Sequence, residues 1–257
     1  MSTAVPDPDP RLVAQLRVAG CVFAEDEARE ILRVLGRPAD IDAAVLARAG
    51  GMPLEQVLGR AVFMGLEVVV EPGVFVPRQR TDELVRTAVG SAADPRVVVD
   101  LGCGSGALAA VLSRRLPWAQ VHACDVDPAA VACARKNAER YGYVVHQGSW
   151  WSALPTVLAG CVDLAVAYLP HVPTERLRMI PRDLREHEPV GAVDGGPDGL
   201  EPFREVLCEL DGWLAPDGRL VTLLAREQAH EAVRAAGRRR VVIDEYDDDA
   251  VLTVSAS

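Results

Sequence analysis

Lysine is almost missing from this sequence: Lys136 stands alone beside twenty-six arginines. A cationic excess is missing too, since 37 acidic residues outweigh 27 basic ones and leave a formal charge of -10. Duplex binding draws on neutralisation of phosphate by Lys and Arg, so this balance excludes a general nucleic-acid binder. The local run Arg238-Arg239-Arg240 reads as the solvated start of a strand. No C-x-x-C spacing occurs among the six cysteines (Cys21, Cys103, Cys124, Cys133, Cys161, Cys208). They sit mostly in apolar runs, which fits buried thiols in a reducing compartment rather than a redox or zinc motif. His122, His146, His187 and His230 show no ligand spacing, so no metal is expected. No apolar stretch reaches 18 residues, and the chain opens on the acidic, proline-rich Pro6-Asp7-Pro8-Asp9-Pro10. Neither a signal peptide nor a membrane anchor is expected, and the expected location is the cytoplasm.

Of 257 residues, 49% are hydrophobic, enough for one medium α/β domain and a small accessory one. The most informative stretch is Val97-Val98-Val99-Asp100-Leu101-Gly102-Cys103-Gly104-Ser105-Gly106, followed by a helical pattern from Ala107 to Leu116. A strand, a tight glycine loop and a helix N-terminus let the backbone approach a ligand closely and favour an anionic group there. A second strand, Gln120 to Cys124, ends in Asp125, placed to accept hydrogen bonds from two ribose hydroxyls. The alternative role for Asp125 is a helix N-cap, since Asp127-Pro128 follows. Together these features describe a nucleoside-cofactor site.

Two cofactor classes use this geometry. Gly102 to Ala107 can be forced onto the dinucleotide fingerprint G-x-G-x-x-G/A. The segment resembles at every position, Asp100 included, the D/E-x-G-x-G-x-G loop of S-adenosyl-L-methionine (SAM) methyltransferases. A long region precedes the loop, whereas a dinucleotide domain often opens its chain, so SAM is the expected cofactor. Cys103 lies in the loop as a small side chain and is not read as a nucleophile.

Residues 1 to about 9 are expected to be disordered. Asp9 can cap a helix with Pro10 at its first position, carrying Leu12, Val13 and Leu16 inward. Further helices are predicted near Asp26 to Leu35, Ile41 to Ala49 and Pro53 to Leu58. A β-hairpin is predicted over Val62 to Val70 and Val74 to Val76, turning at Glu71-Pro72-Gly73. The boundaries are an N-terminal helical domain over 1–60 for substrate recognition, a hairpin linker over 61–79, and a cofactor-binding domain over 80–257. In the last, strands are predicted near 96–100, 120–124, 143–147, 162–167, 218–224, 239–244 and 250–255, with helices between the first six. Glu245 to Asp249 is too short for a parallel crossover, so the final strand must be antiparallel. A Rossmann-like α/β sheet of seven strands with a reversed C-terminal strand resembles the class I SAM methyltransferases.

Several segments resemble one family, the HemK/PrmC-type protein-glutamine methyltransferases. Met52-Pro53-Leu54-Glu55-Gln56-Val57-Leu58-Gly59 is similar to that family's G-x-P-L-x-Y-x-x-G, and Pro72 to Asp82 to its P-G-V-L-I-P-R-P-E-T-E. The glycine loop, Trp150, Glu188-Pro189 and Asp194-Gly195-Gly196-Pro197-Asp198-Gly199-Leu200 also match. The chain looks like an actinobacterial side branch with a degenerate signature. The resemblance implies methylation of the Gly-Gly-Gln glutamine amide in peptide chain release factors. It also implies that an N-P-P-Y segment after strand four orients that amide through its Asn side chain and a backbone carbonyl. Here the four positions are Tyr168-Leu169-Pro170-His171, and Ser149 stands where the family usually has Asp. An amide nitrogen is a poor nucleophile, so orientation supplies most of its catalysis, and a phenol cannot reproduce the hydrogen-bond pattern of Asn.

Asp100, Gly102, Cys103, Gly104, Ser105, Gly106, Asp125, Val126, Ser149, Trp150 and Tyr168 are therefore the expected cofactor contacts. Arg78 and Thr81 resemble a segment lying over the cofactor's methionine end, against the alternative of a surface loop. Trp150 is expected beside the adenine, or else in the core. Tyr168, Leu169, Pro170 and His171 are expected at the acceptor. Tyr168 is placed nearest the transferred methyl. His171 is either a base for a hydroxyl acceptor or an aromatic packing surface. Three functions follow: methyl transfer to a changed acceptor, a small molecule methylated on N or O; retained glutamine methylation of release factors; or SAM binding without transfer. Neither nucleic acid nor membrane is an expected partner, and the oligomeric state is left open.

Overall fold

A computed structural model describes residues 8–256. The disorder expected at the N-terminus falls, for residues 1–7, outside the described residues. Asp9 caps α1 (Pro10–Val18), its carboxylate accepting the Arg11 N–H at 2.9 Å, with Pro10 at the first helical position. Leu12, Val13 and Leu16 point inward, as the spacing requires. They pack with Ala24, Ala28 and Ile31 of α2 (Ala24–Val34) and Ala44 and Val45 of α3 (Pro38–Ala49) into a small separate apolar cluster. Leu54 and Val57 of the short α4 (Leu54–Leu58) close it from below.

The hairpin lies earlier than predicted. It pairs β1 (Arg60–Phe63) with β2 (Leu66–Val69), and its turn is Met64-Gly65 rather than Glu71-Pro72-Gly73. Both turn residues have positive φ (46° and 79°), the mirror-image turn whose twist matches antiparallel strands. Pro72 and Pro77 remove backbone donors on either side of Val74 and Val76, so that stretch runs as a loop with both valines buried. The hairpin's inner residues, Ala61, Phe63 and Val68, join the core of the larger domain.

That domain is a seven-stranded sheet in the order β5-β4-β3-β6-β7-β9-β8. In chain order the elements are α5 (Asp82–Ser91), β3 (Val97–Leu101), α6 (Ala107–Arg115), β4 (Gln120–Asp125), α7 (Pro128–Tyr141), β5 (Val144–Gln147), β6 (Val162–Ala167), α8 (Arg182–His187), α9 (Glu201–Trp213), β7 (Leu214–Ala225), α10 (Ala229–Ala236), β8 (Val241–Tyr246) and β9 (Asp249–Ser255). β3 to β7 pair in parallel, whereas β9 runs antiparallel between β7 and β8. The reversed last strand is present, in a mixed α/β sheet as expected.

Alternate strand residues feed two cores, as a sheet covered on both faces must. Val98, Val121, Ala123, Leu164 and Val166 face α5 and α6; Val99, Leu101, Cys124, Ala165 and Ala167 face α9 and α10. Two local expectations fail. Between β5 and β6 there is no α-helix, only 3-10 turns at Trp150–Ala153 and Thr156–Leu158, because the intervening segment is short and Pro155 interrupts it. β7 begins at Leu214, not 218, because Leu214 pairs with Val162 before a register shift absorbs Pro216-Asp217-Gly218. His122 and His146, read as scattered, lie on neighbouring strands with ring nitrogens 3.0 Å apart. No group of three metal-ligating side chains occurs among the described residues, and none of their helices is long and apolar enough to cross a membrane.

Candidate functional site

β3, β4 and β6 all end at one edge of the sheet, and the candidate site is built on those ends. Gly102 and Cys103 leave β3 with both N–H groups bonded to the Cys124 carbonyl at 2.9 Å, which ties the loop to β4. Gly102, Gly104 and Gly106 all have positive φ. At Gly106 the reason is also steric: a Cβ there would lie 2.2 Å from the Tyr143 hydroxyl, which is itself bonded to the Ala134 carbonyl. The loop therefore sits flush on α7 and leaves its open side facing outward, where a Cβ on Gly104 would meet nothing nearer than Phe75 Cβ at 3.9 Å. That is a cradle with room for a ligand against the main chain.

Two carboxylates hold this loop. Asp125 Oδ2 accepts the Gly104 N–H at 2.8 Å and Oδ1 accepts the Asp127 N–H at 2.9 Å. The N-cap of α7 is Asp127, not Asp125, since Asp127 Oδ1 accepts from Ala129. Asp125 is thus left at the strand end, facing the cavity. Asp100 is fully buried; Oδ2 accepts the Ala109 N–H at 3.0 Å, while Oδ1 has no partner. Desolvation pushes its pKa up to about 7, opposed by the Ala109 bond and reinforced by the charge of Asp125. The native carboxyl therefore keeps its proton over a pH range in which the unfolded chain has lost it. Stability is expected to fall as pH rises from about 4 to about 7, by on the order of 1 kcal/mol per pH unit. Denaturant midpoints at pH 5 and pH 8 check this: the decline should be shallower in Asp100→Asn than in the parent protein.

Above the loop lies a cavity of about 420 Å³, the size of a small-molecule site. Gly102, Cys103, Gly104, Ser105, Asp125, Val126, Ser149, Trp150, Arg78, Thr81, Tyr168 and Pro170 all line it. Asp100 and Gly106 lie beneath it and shape the loop from below. Val126 is 68% exposed, an apolar side chain left open at the rim. Trp150 adopts φ 44°, costly for a bulky residue at roughly 1–3 kcal/mol. Its ring rests against Gly102 and its indole N–H donates to Glu205 at 2.7 Å. The neighbouring Trp151 is the one buried in the core, stacked on Trp213. Burial pushes up the thiols of Cys103 in the loop and of Cys124 on β4, the latter to about 12, which disfavours the thiolate form at both.

Arg78 is no free surface residue. It pairs with the buried Glu188 and lies 4.6 Å over the Phe75 ring, while Glu188 also accepts the Val76 N–H at 3.2 Å. Thr81 is buried, its hydroxyl donating to the Arg78 carbonyl. Gln56 of α4 donates to the Val74 and His187 carbonyls, so the N-terminal helices touch both strands of chain that carry this ion pair.

At the end of β6, Tyr168 faces the cavity with its ring between Phe75 (6.0 Å) and His171 (5.6 Å). Burial raises its pKa, against the nearby Arg80 and Arg78. Leu169, expected at the acceptor, is corrected: it is 1% exposed and packs in the α9-side core, because its side chain turns to the opposite face from Tyr168. His171 does not line the cavity of Tyr168. It lines a second one with Arg80, Arg176 and Gln228. Its Nδ1 bonds to the Leu169 carbonyl at 2.8 Å, and burial lowers its pKa. The segment is held by its main chain: the His171 carbonyl accepts from Gln228, Val172 N–H donates to Val193, and Gly195 N–H donates to the Val172 carbonyl. Sequence reasoning passed over Phe75 and Glu188, though both stood in the matching motifs, and over Pro202 and Glu205, for which no local signal exists.

A family model described as a methyltransferase domain matches residues 98–187. The release factor glutamine methyltransferase of Geobacter sulfurreducens is 38% identical over 187 residues, covering 72% of this chain and 65% of that protein. That of Moorella thermoacetica is 38% identical over 215 residues, covering 79% and 74%. The chain thus spans about two thirds to three quarters of the length of these relatives. A methyltransferase from Pyrococcus furiosus superposes with a TM-score of 0.58 at 16% identity, over 85% of this chain and 100% of that one, a likeness of fold alone.

Proposed function

This chain belongs to the release factor glutamine methyltransferase family and is a SAM-dependent methyltransferase; from that premise we propose that its acceptor is no longer the glutamine amide. The cofactor supplies an electrophilic methyl group carried on a sulfonium. The residues present suit it: an open glycine cradle, a strand-end carboxylate and an apolar rim. In this reading Asp125 accepts the ribose hydroxyls, Val126, Ser149 and Trp150 border the adenine, and Arg78 and Thr81 close over the methionine end.

The observation that carries the changed acceptor is Tyr168, whose ring fills the position of the amide-orienting Asn and is wedged between two other rings. A phenol there presents an aromatic wall rather than paired acceptors for an amide. Behind it, the Leu169 carbonyl accepts only from a protonated Nδ1, so neutral His171 offers Nε2 as a base. That nitrogen belongs to the second cavity and not to the one over the glycine loop, so it takes a proton only from an acceptor that reaches into both. These features favour a small-molecule acceptor with a hydroxyl or amine.

Incubation with methyl-labelled SAM and host metabolite extract tests this, with label expected on a small molecule. Label on a release factor alone would return the chain to the relatives' activity, and label on nothing would leave a binding protein. The cofactor assignment has its own check. Asp125→Ala should weaken S-adenosylhomocysteine binding by about 1.5–3 kcal/mol, the scale of a charge-assisted hydrogen bond left unmade. Calorimetry showing NAD binding and no SAM binding would overturn it.

A further inference from the structure

Glu205 stands on α9 at the rim of the cavity that Ser149, Trp150, Val126 and Pro202 also line. Its Oε2 accepts the Trp150 indole N–H at 2.7 Å. The far edge of the same indole rests on the glycine loop, where a Cβ on Gly102 would be 3.1 Å from Cζ3. The ring thus spans from β3's loop to α9 and holds the carboxylate in one place. No arginine pairs with Glu205, and Oε1 has no partner among the described residues.

Of the cavity's other carboxylates, Asp125 has a backbone N–H on each oxygen, from Gly104 and Asp127, and Asp127 has one on Oδ1, capping α7. Position 149 holds a serine, which adds no charge. Glu205 is the anionic acceptor tied directly to Trp150, with Oε1 left open, and it comes from a helix 55 residues further along the chain.

We infer that Glu205 reads the purine: Oε1 accepts a hydrogen bond from the exocyclic amino group of an adenine ring held beside Trp150. This rests on the reading of the cavity as a SAM site. An amino group at that place donates to the carboxylate, whereas the carbonyl of a hypoxanthine ring would set oxygen against oxygen. A site built around such a donor rejects the analogue that lacks it.

Calorimetry of the full chain with S-adenosylhomocysteine and S-inosylhomocysteine tests this. The parent protein should prefer the adenosyl compound by roughly 10- to 100-fold, the scale of one charge-assisted hydrogen bond. Glu205→Gln keeps the Trp150 bond through its amide oxygen and turns an NH₂ toward the base, so the preference should collapse or invert. If Glu205→Gln weakens both compounds equally, or neither, Glu205 merely positions Trp150 and the inference fails. If the parent protein binds neither compound, the SAM-site reading itself falls with it.

Discussion

Incubated with a peptide chain release factor and SAM, the parent protein is expected to leave the Gly-Gly-Gln tryptic peptide at its unmethylated mass. Removing one oriented partner of a developing charge costs roughly a hundredfold to a thousandfold in rate. Tyr168 not only lacks the paired hydrogen bonds of Asn; its ring occupies the space, packed against Phe75 and His171. Tyr168→Asn alone should restore little, because it leaves a gap between those rings and keeps Leu169 and His171. The combined Tyr168→Asn, Leu169→Pro, His171→Tyr protein, which recreates the family segment around Pro170, is the variant expected to gain activity. Its folding must be checked in parallel, since Leu169 is a core residue. A stoichiometric gain of one methyl by the parent protein would sink the changed acceptor.

The largest effect on stability is expected from Gly199→Ala. Gly199 has φ 78°, and a Cβ there would lie 2.2 Å from Gln228 Nε2 and 2.3 Å from the His171 carbonyl oxygen. Gln228 donates to the His171 and Asp198 carbonyls, so the methyl would enter where three segments meet, against the His171 backbone as well as a side-chain amide held by two hydrogen bonds. A loss of about 3 kcal/mol or more follows from combining a disfavoured dihedral with overpacking. Gly65→Ala is the control: its φ is 79°, but nothing lies within 4 Å, so only the dihedral cost of about 1 kcal/mol applies. Urea titrations of the two variants settle the point. Equal losses would mean that the crowding at Gly199 has no consequence.

The strands were readable because each is a short β-branched run whose alternate residues must reach one of two cores. The cradle was readable because glycines at 102, 104 and 106 leave the chain few other courses. The hairpin was misread because Glu71-Pro72-Gly73 carries the stronger turn chemistry, whereas Met64 shows nothing in its side chain of the left-handed conformation it adopts. Leu169 was misread because a four-residue motif was treated as one surface, although neighbouring residues of an extended chain face opposite ways. Glu205 could not be read at all. Its meeting with Trp150 depends on how α9 crosses the 3-10 turn after β5, a tertiary relation without local trace.

The segment after β6 is tied to its neighbours through its main chain, to Gln228, Val193 and Gly195, while the His171 ring bonds only within the segment. Exchange at 168 or 171 removes ring contacts and the His171–Leu169 bond but leaves those main-chain ties in place. In a lineage that carries a second copy of such a gene, these two positions are free to drift while the fold is inherited whole. Selection can then redirect the enzyme to a new acceptor without first rebuilding it.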